Sequence, residues 1–428
     1  MRTLRAIFSN TKLLAKIGIT ILILFIFRFL MWVPIPLVDT QGIQNIIDSG
    51  FIAILNNFSG GALGRFSLMA MGISPYITAS IVVQLLQMDI IPILKEWSEQ
   101  GENGKRKLNR LTRILGLVLA FIQGMIFVLG MRYSIADPGI MDGPLVYIFI
   151  ALMVTAGTAI AMWLADLITR YGIGNGGSML IVAGIIPSLP AMIVSLWNKY
   201  IKPGGGLNIF LFILIVVLFL GILIAVTYLE LAKRKIPIQY ANRRSGQGQT
   251  DSNLPIKLNT AGVIPVIFAS TILSIPLSIA GFFSQDGGSG VGYWFNQIFS
   301  YQEPIGFVLY MLLILVFSFF YSFLMLNPEQ VAENLSKSNA YIPGIRPGAD
   351  TENFVSRLLF KITILGSLYL MILAALPIIT SIVFKFNAQE AQVITIGGTS
   401  LLIVVGVALE TAKQIISEAT EQEYKGIF

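Results

Sequence analysis

Residues 72–80 read GISPYITAS and residues 262–270 read GVIPVIFAS. Both stretches lie inside apolar segments and both follow G-x-x-P-x-I-x-A-S. A proline and hydroxyl side chains stand where a plain membrane helix would carry leucine. The segments around them are built for lipid: of 428 residues, 55% are hydrophobic and 12% charged, with a mean hydropathy of +0.78. So little polar surface does not clothe a soluble globule, and the chain reads as an integral membrane protein. Runs such as LNIFLFILIVVLFLGILIAV, residues 207–226, show none of the alternation of a β-barrel. The expected fold class is therefore an all-α polytopic membrane protein.

Apolar windows long enough to cross a bilayer predict ten spans, at roughly 17–33, 70–91, 114–131, 145–165, 177–197, 207–229, 260–283, 305–326, 362–384 and 393–412. With both termini inside, 23 of the 29 Lys and Arg fall on the cytoplasmic side, five outside and one, Arg28, within the first span. That asymmetry sets the orientation by the positive-inside rule. No cleavable leader is apparent, because the apolar run after the basic residues 1–16 lacks a small-residue cleavage site. No separate soluble domain is expected either; the cytoplasmic loops would carry helical hairpins at most.

The two copies of the motif start 190 residues apart and fall in spans 2 and 7. Five spans separate them, so the second copy enters the membrane in the opposite direction. An inverted repeat of two five-span halves produces that pattern and places a working site between the halves. The expected division is 1–206 and 207–428. Each copy carries isoleucine at its sixth position, Ile77 and Ile267, with an apolar residue four earlier, Ile73 and Val263. Residues four apart share a helix face, so both copies would point branched apolar side chains into a central cavity.

The chain has no cysteine and no histidine. This removes disulfides, thiolate nucleophiles, imidazole bases and most transition-metal sites. Nor does the glycine run at 172–177, GIGNGG, continue into the Lys-Ser/Thr of a phosphate loop. Neither an enzyme nor a cofactor is expected, and any ATP hydrolysis would belong to a partner.

Several further stretches carry a family resemblance: FSGGAL at 58–63, GISPYITASIVVQLL, GIGNG, AGVIPVIFAS, NPEQVAENLSKSNAYIPGIRPG at 327–348 and GGTSLLIVV at 397–405. In this order the chain resembles the SecY family, the central channel subunit of the bacterial Sec protein translocase. The resemblance implies ten helices in two inverted halves around an hourglass pore in the cytoplasmic membrane. The channel would pass unfolded secretory polypeptides across the membrane and release apolar segments sideways into lipid.

It also implies roles for particular residues. The pore ring would be Ile73, Ile77, Ile181, Ile267 and Ile403, with a gap where the sixth ring position falls on Gly177. Such a ring dewets when empty and offers a moving chain no hydrogen bonds. A plug at about 51–64, including Phe58, Gly60 and Gly61, would block the external funnel. A lateral gate between spans 2 and 7 would involve Gln84 and Asn259, with Thr78, Ser80, Ser270 and Thr271 available for weak interhelical hydrogen bonds. The cytoplasmic loops at about 230–259 and 327–361 would dock a motor or the ribosome through Arg243, Arg244 and Arg346. The implied partners are the small membrane subunits SecE and SecG, the SecA ATPase motor, the ribosome, signal peptides, nascent membrane segments and the phospholipid bilayer.

An ion-coupled secondary transporter is the alternative, since such carriers also use inverted repeats and broken helices. They depend on ionisable residues within the membrane. Here only Arg28 lies well inside an apolar span, while Asp89, Asp166, Glu230 and Glu410 sit near cytoplasmic ends.

Overall fold

The computed structural model describes residues 10–36, 38, 61–87, 91–130, 144–202, 206–240, 252–283, 291–300, 303–383, 401 and 403–419. The first half contains α1 (Thr11–Leu30), α2 (Ser74–Leu86), α3 (Pro92–Glu99), α4 (Glu102–Gly130), α5 (Pro144–Tyr171), α6 (Gly176–Ile185) and α7 (Ser188–Leu196). The second contains α8 (Gly206–Leu231), β1 (Lys233–Tyr240), β2 (Ser252–Lys257), α9 (Ile264–Phe283), α10 (Val291–Phe299), α11 (Pro304–Met325), α12 (Pro328–Lys337), β3 (Ala340–Tyr341), α13 (Ala349–Val383) and α14, the helical run 403–419. Six helices among the described residues are long and apolar enough to cross a membrane: α1, α4, α5, α8, α11 and α13. The other expected spans fall on α2, on α6 with α7, on α9 and on α14. Phe210, Ile224 and Tyr228 of α8 are exposed, as side chains that meet lipid are.

The span expected at 70–91 is a shorter helix, because the chain arrives at Ser74 through an irregular segment, 61–73, in the protein interior. Leu63, Phe66, Met69 and Ala70 are buried there. Ile35 N–H donates to the Phe66 carbonyl and Leu68 N–H to the Val33 carbonyl, each at 2.9 Å; Ser67 N–H donates to the Ala62 carbonyl, also at 2.9 Å. Non-helical backbone survives away from water only when its polar groups are paired this way. Span 5 is also broken. Asn175 caps α6 by accepting from the N–H groups of Gly177 and Ser178, the helix ends before Pro187, and α7 leads into a π-helical turn at Trp197–Ile201.

GIGNG is a structural knot rather than a phosphate cradle. Ile173 N–H donates to Thr20 Oγ1 of α1, and Gly174 N–H donates to Gln414 Oε1 of α14, both at 3.0 Å. Lys16 and Glu418 form an ion pair at 2.8 Å between the same two helices. The beginning and end of the described chain are thereby tied to the turn between α5 and α6.

Outside the helices the expectation of helical loops needs correction. β1 and β2 form an antiparallel hairpin with Lys233 opposite Lys257 and Ile238 opposite Ser252, and β3 pairs with the far end of β1 through Gln239 and Tyr341. The sequence of β1, KRKIPIQY, explains the difference. Ile236 and Ile238 alternate with exposed neighbours at the period of a strand, and Pro237 and Pro255 are incompatible with a helix interior. Ile236 and Ile256 pack with Ile342, Val355 and Ile362, so the hairpin shares a core with the α12–α13 region. In the second loop a helix does form: Asn327 accepts from Glu329 N–H and Pro328 opens α12.

Gly157 of α5 lies directly beneath the Leu68 carbonyl, with no space for a Cβ. Gly157→Ala should push α5 away from the 61–73 segment and cost about 1–3 kcal/mol. Gly221 of α8 has nothing within 4 Å of its would-be Cβ, so Gly221→Ala should be neutral or stabilise by up to about 1 kcal/mol. Thermal unfolding of the two variants in the same detergent checks the contrast.

Candidate functional site

The two copies of the opening motif adopt the same local structure. Gly72 and Gly262 both have positive φ, +52° and +63°, which makes glycine the residue for a sharp turn. Two residues later the helix begins, at Ser74 and at Ile264, with proline next in line, where its missing N–H costs nothing. Ile77 N–H then donates to the Ile73 carbonyl at 3.1 Å, and Ile267 N–H to the Val263 carbonyl at 3.4 Å. The motif is a device for starting a helix inside the protein and aiming its first turn.

That first turn borders a central cavity. Ile73 and Ile77 of the α2 entry, Ile181 of α6, Ile267 of α9 and Ile403 of α14 all line it, together with Phe27 and Met31 of the first helix region and Leu180. The five isoleucines named from the sequence are thus brought together from four helices. They also join the surrounding packing: Ile73 and Ile77 meet Leu180 and Ile181, while Ile181 and Ile267 meet Ile185 and Ile403. Val263 does not follow the symmetry, because it packs against Gly406 of α14.

Two hydroxyls on this wall are already engaged. The hydroxyls of Ser270 and Thr271 both donate to the Ile267 carbonyl, at 2.9 and 2.8 Å, so the α9 side presents hydrocarbon and satisfied hydroxyls. Gly177 stands beside Ile73. A Cβ added there would lie 4.0 Å from Ile73 Cδ1 and 3.3 Å from Asn175 Oδ1. A side chain there would sit tightly against the Asn175 cap and in ordinary contact with Ile73, one of the residues that line the cavity.

The seam between α2 and α9 is apolar. Ile81, Ala261 and Phe268 are buried with Phe317 and Tyr321 of α11, and Ile77, Leu85, Ile264 and Ile272 pack around them. The Phe268 ring meets Phe317 and Tyr321 edge-on, with centroids 5.8 and 5.7 Å away. The expected polar cross-links take a different form. Gln84 Nε2 donates to Ser80 Oγ of its own helix at 3.2 Å, and the Thr78 hydroxyl donates to the Ser74 carbonyl. Short hydroxyl side chains on a helix reach the carbonyl one turn back more easily than a neighbouring helix. Asn259, buried, donates from Nδ2 to Glu230 Oε2 at 3.2 Å and to the Gly262 carbonyl at 3.0 Å. Gln84 and Asn259 flank the seam without bonding to each other.

On the other expected features, Gly61 has φ +82°, while Phe58 and Gly60 lie outside the described residues, as do Arg243 and Arg244. Arg346 is exposed on a turn between two positive-φ glycines, Gly344 and Gly348. Ile345 N–H donates to the Ile342 carbonyl at 3.0 Å, and Thr351 Oγ1 to the Arg346 carbonyl at 2.8 Å, so the tip is fixed from both sides.

A sequence model of the SecY family matches residues 67–412. The chain belongs to the SecY family. A similar sequence is the protein translocase subunit SecY of Halalkalibacterium halodurans, 45% identical over 435 residues, which spans 99% of this chain and 99% of that protein. Among solved structures, one described as a protein conducting channel aligns over 95% of this chain and 92% of its own, with a TM-score of 0.68 and 19% identity. Another, Sec61 in the canine ribosome–channel complex from the endoplasmic reticulum, aligns over 95% and 92% with a TM-score of 0.65 and 20% identity. As a SecY family member, the chain is a protein-conducting channel of the bacterial membrane rather than an enzyme.

Reading the sequence for SecY features missed Phe27, Met31 and Leu180 on the cavity wall and Glu230 as the partner of Asn259. The first three carry no signal that separates them from ordinary core residues. Glu230 did carry one: a carboxylate in the last turn of an otherwise apolar helix needs a partner.

Gln84 Oε1 is buried without a hydrogen-bond partner. Gln84→Leu removes that acceptor, and the protein should gain about 1–2 kcal/mol, seen as a higher unfolding midpoint. A lower midpoint would show that Gln84 is held by more than its bond to Ser80.

Proposed function

We propose that the isoleucine-lined cavity is the constriction through which unfolded polypeptides cross the membrane, and that α2 and α9 part to release apolar segments into lipid. The observation that carries this reading is the convergence of Ile73, Ile77, Ile181, Ile267 and Ile403 on one cavity from helices far apart in sequence. Branched apolar side chains grip no hydrogen-bonding group on a passing chain, and they expel water from a narrow gap when the chain is absent. The same surface binds no ion or polar solute, which counts against the transporter alternative.

In this reading, residues 1–206 and 207–428 form the two inverted halves of a ten-span channel with both termini in the cytoplasm. The plug comprises about 51–64, with Phe58, Gly60 and Gly61. Gln84 and Asn259 flank the lateral gate, a seam whose apolar packing suits signal peptides and nascent membrane segments as openers. The loops at 230–259 and 327–361 dock the ribosome or the SecA motor through Arg243, Arg244 and Arg346, and SecE and SecG accompany the channel in the bilayer. Pairing of β1 with β3 supports a common docking role, since it joins the two loops into one body. A basic exposed surface on such a body attracts the polyanionic RNA of a ribosome.

The absence of cysteine gives a clean test. A single thiol at Ile73, Ile77, Ile181, Ile267 or Ile403 should crosslink to a thiol in a stalled secretory substrate, whereas one at lipid-facing Ile224 should not. Translocation that proceeds with every cavity position silent would reject the pore assignment. Filling the gap tests the ring itself: Gly177→Ile should lower ion leak through the idle channel, and Ile403→Gly should raise it, each by roughly tenfold in conductance measurements on planar bilayers. Equal leak in both variants would place the seal elsewhere.

A further inference from the structure

The cytoplasmic hairpin and α9 are joined by a short, fully specified connection. Where β1 leaves α8 and β2 returns, Leu258 N–H donates to the Ala232 carbonyl at 3.0 Å, one step beyond the Lys233–Lys257 pair. One step further, Glu230 Oε2 accepts from Asn259 Nδ2. The same Asn259 nitrogen donates to the Gly262 carbonyl, at the left-handed turn that aims α9. An amide nitrogen has two hydrogens, and here one engages the end of α8 while the other engages the entry of α9. Lys257 and Lys413 lie close enough to act on the Glu230 charge, with Glu410 opposing them. Gly366 of α13 sits against the Leu258 carbonyl, so the base of the hairpin rests on a rigid helix.

We propose that the Glu230–Asn259 pair is a latch that transmits movement of the cytoplasmic hairpin to the entry of α9, making Glu230 a positioning residue for gate opening. A ribosome that tilts β1 and β2 shifts Ala232 and Leu258 together. The carboxylate then pulls or releases Asn259, and Asn259 carries the Gly262 turn with it. The hydrogen bond is charge-assisted and part-buried, with its Asn259 donor buried, so it is suited to transmit displacement. The inference rests on the reading above, in which the hairpin docks the ribosome and α9 lines the gate.

The test uses the whole chain in lipid nanodiscs with its small subunits. One cysteine is placed on α2 and one on α9 at positions that form a disulfide in the resting protein. Adding non-translating ribosomes should slow disulfide formation about fivefold in the otherwise unaltered chain. Glu230→Ala and Asn259→Ala should abolish that response while ribosome binding, measured by co-sedimentation, is retained. The double variant should be no worse than either single one. Glu230→Gln keeps an acceptor oxygen and should preserve the response, which also guards against a variant that merely folds poorly. A full response in Glu230→Ala, or a Glu230→Gln variant as unresponsive as Glu230→Ala, overturns the latch. Ribosomes that bind the unaltered chain without changing the crosslinking rate reject coupling from docking to gate, and the latch with it; ribosomes that fail to bind reject the docking surface itself.

Discussion

A helix that starts inside a protein, away from water, must find partners for the N–H groups of its first turn or have fewer of them. α2 and α9 meet this constraint identically. A left-handed glycine turns the chain, a proline at the second helical position removes one donor, and the next residues bond back to the turn. Because the helices begin in the interior, their first side chains face a cavity rather than the membrane surface. Three of the five isoleucines on the wall, Ile73, Ile77 and Ile267, depend on this. Had either helix begun with a plain leucine-rich turn at the surface, its first isoleucine would meet headgroups instead.

How much of this was legible in the sequence follows from which interactions are local. The repeat, the ten apolar windows and Ile73, Ile77 and Ile267 are legible because periodicity and motif spacing are written along the chain, whereas Ile181 and Ile403 are implied only by the family resemblance. The hairpin was missed because its strands occupy a basic loop, where charge dominates the reading and the alternation of Ile236 with Ile238 is only one period long. The seam was read as polar because the hydroxyls of Thr78, Ser270 and Thr271 are visible in sequence, whereas their satisfaction by carbonyls of their own helices is a matter of rotamer. The partnership of Glu230 with Asn259 spans a whole hairpin, and nothing in either residue's neighbourhood names the other. The Gly177 gap was legible as an anomaly, but that Ile73 borders it required coordinates.

The two halves are joined in different ways on their two sides. At the seam, α2 meets α9 through Ile81, Phe268 and their neighbours, without a charged contact in that cluster. Away from the seam, α1, the α5–α6 turn and α14 are linked by an ion pair, two side-chain hydrogen bonds and the packing of Leu13, Ile173 and Ala419. One side of the molecule is therefore bolted by directional bonds that need specific geometry, and the other rests on contacts that do not.

The contact of Ile81 on α2 with the apolar cluster around Phe268 of α9 gives the seam a thermodynamic character of its own. Parting α2 from that cluster in water would expose apolar surface at about 25 cal/mol per Å², but parting them to admit a hydrocarbon segment exchanges one apolar neighbour for another. The enthalpy and hydration of the two states nearly match, so the seam acts as a solvent boundary, and chains distribute across it by their partition coefficient between pore and lipid. Selection of membrane segments then needs no recognition site at all: the length of the apolar stretch sets the odds, and the protein supplies only the contact between two phases.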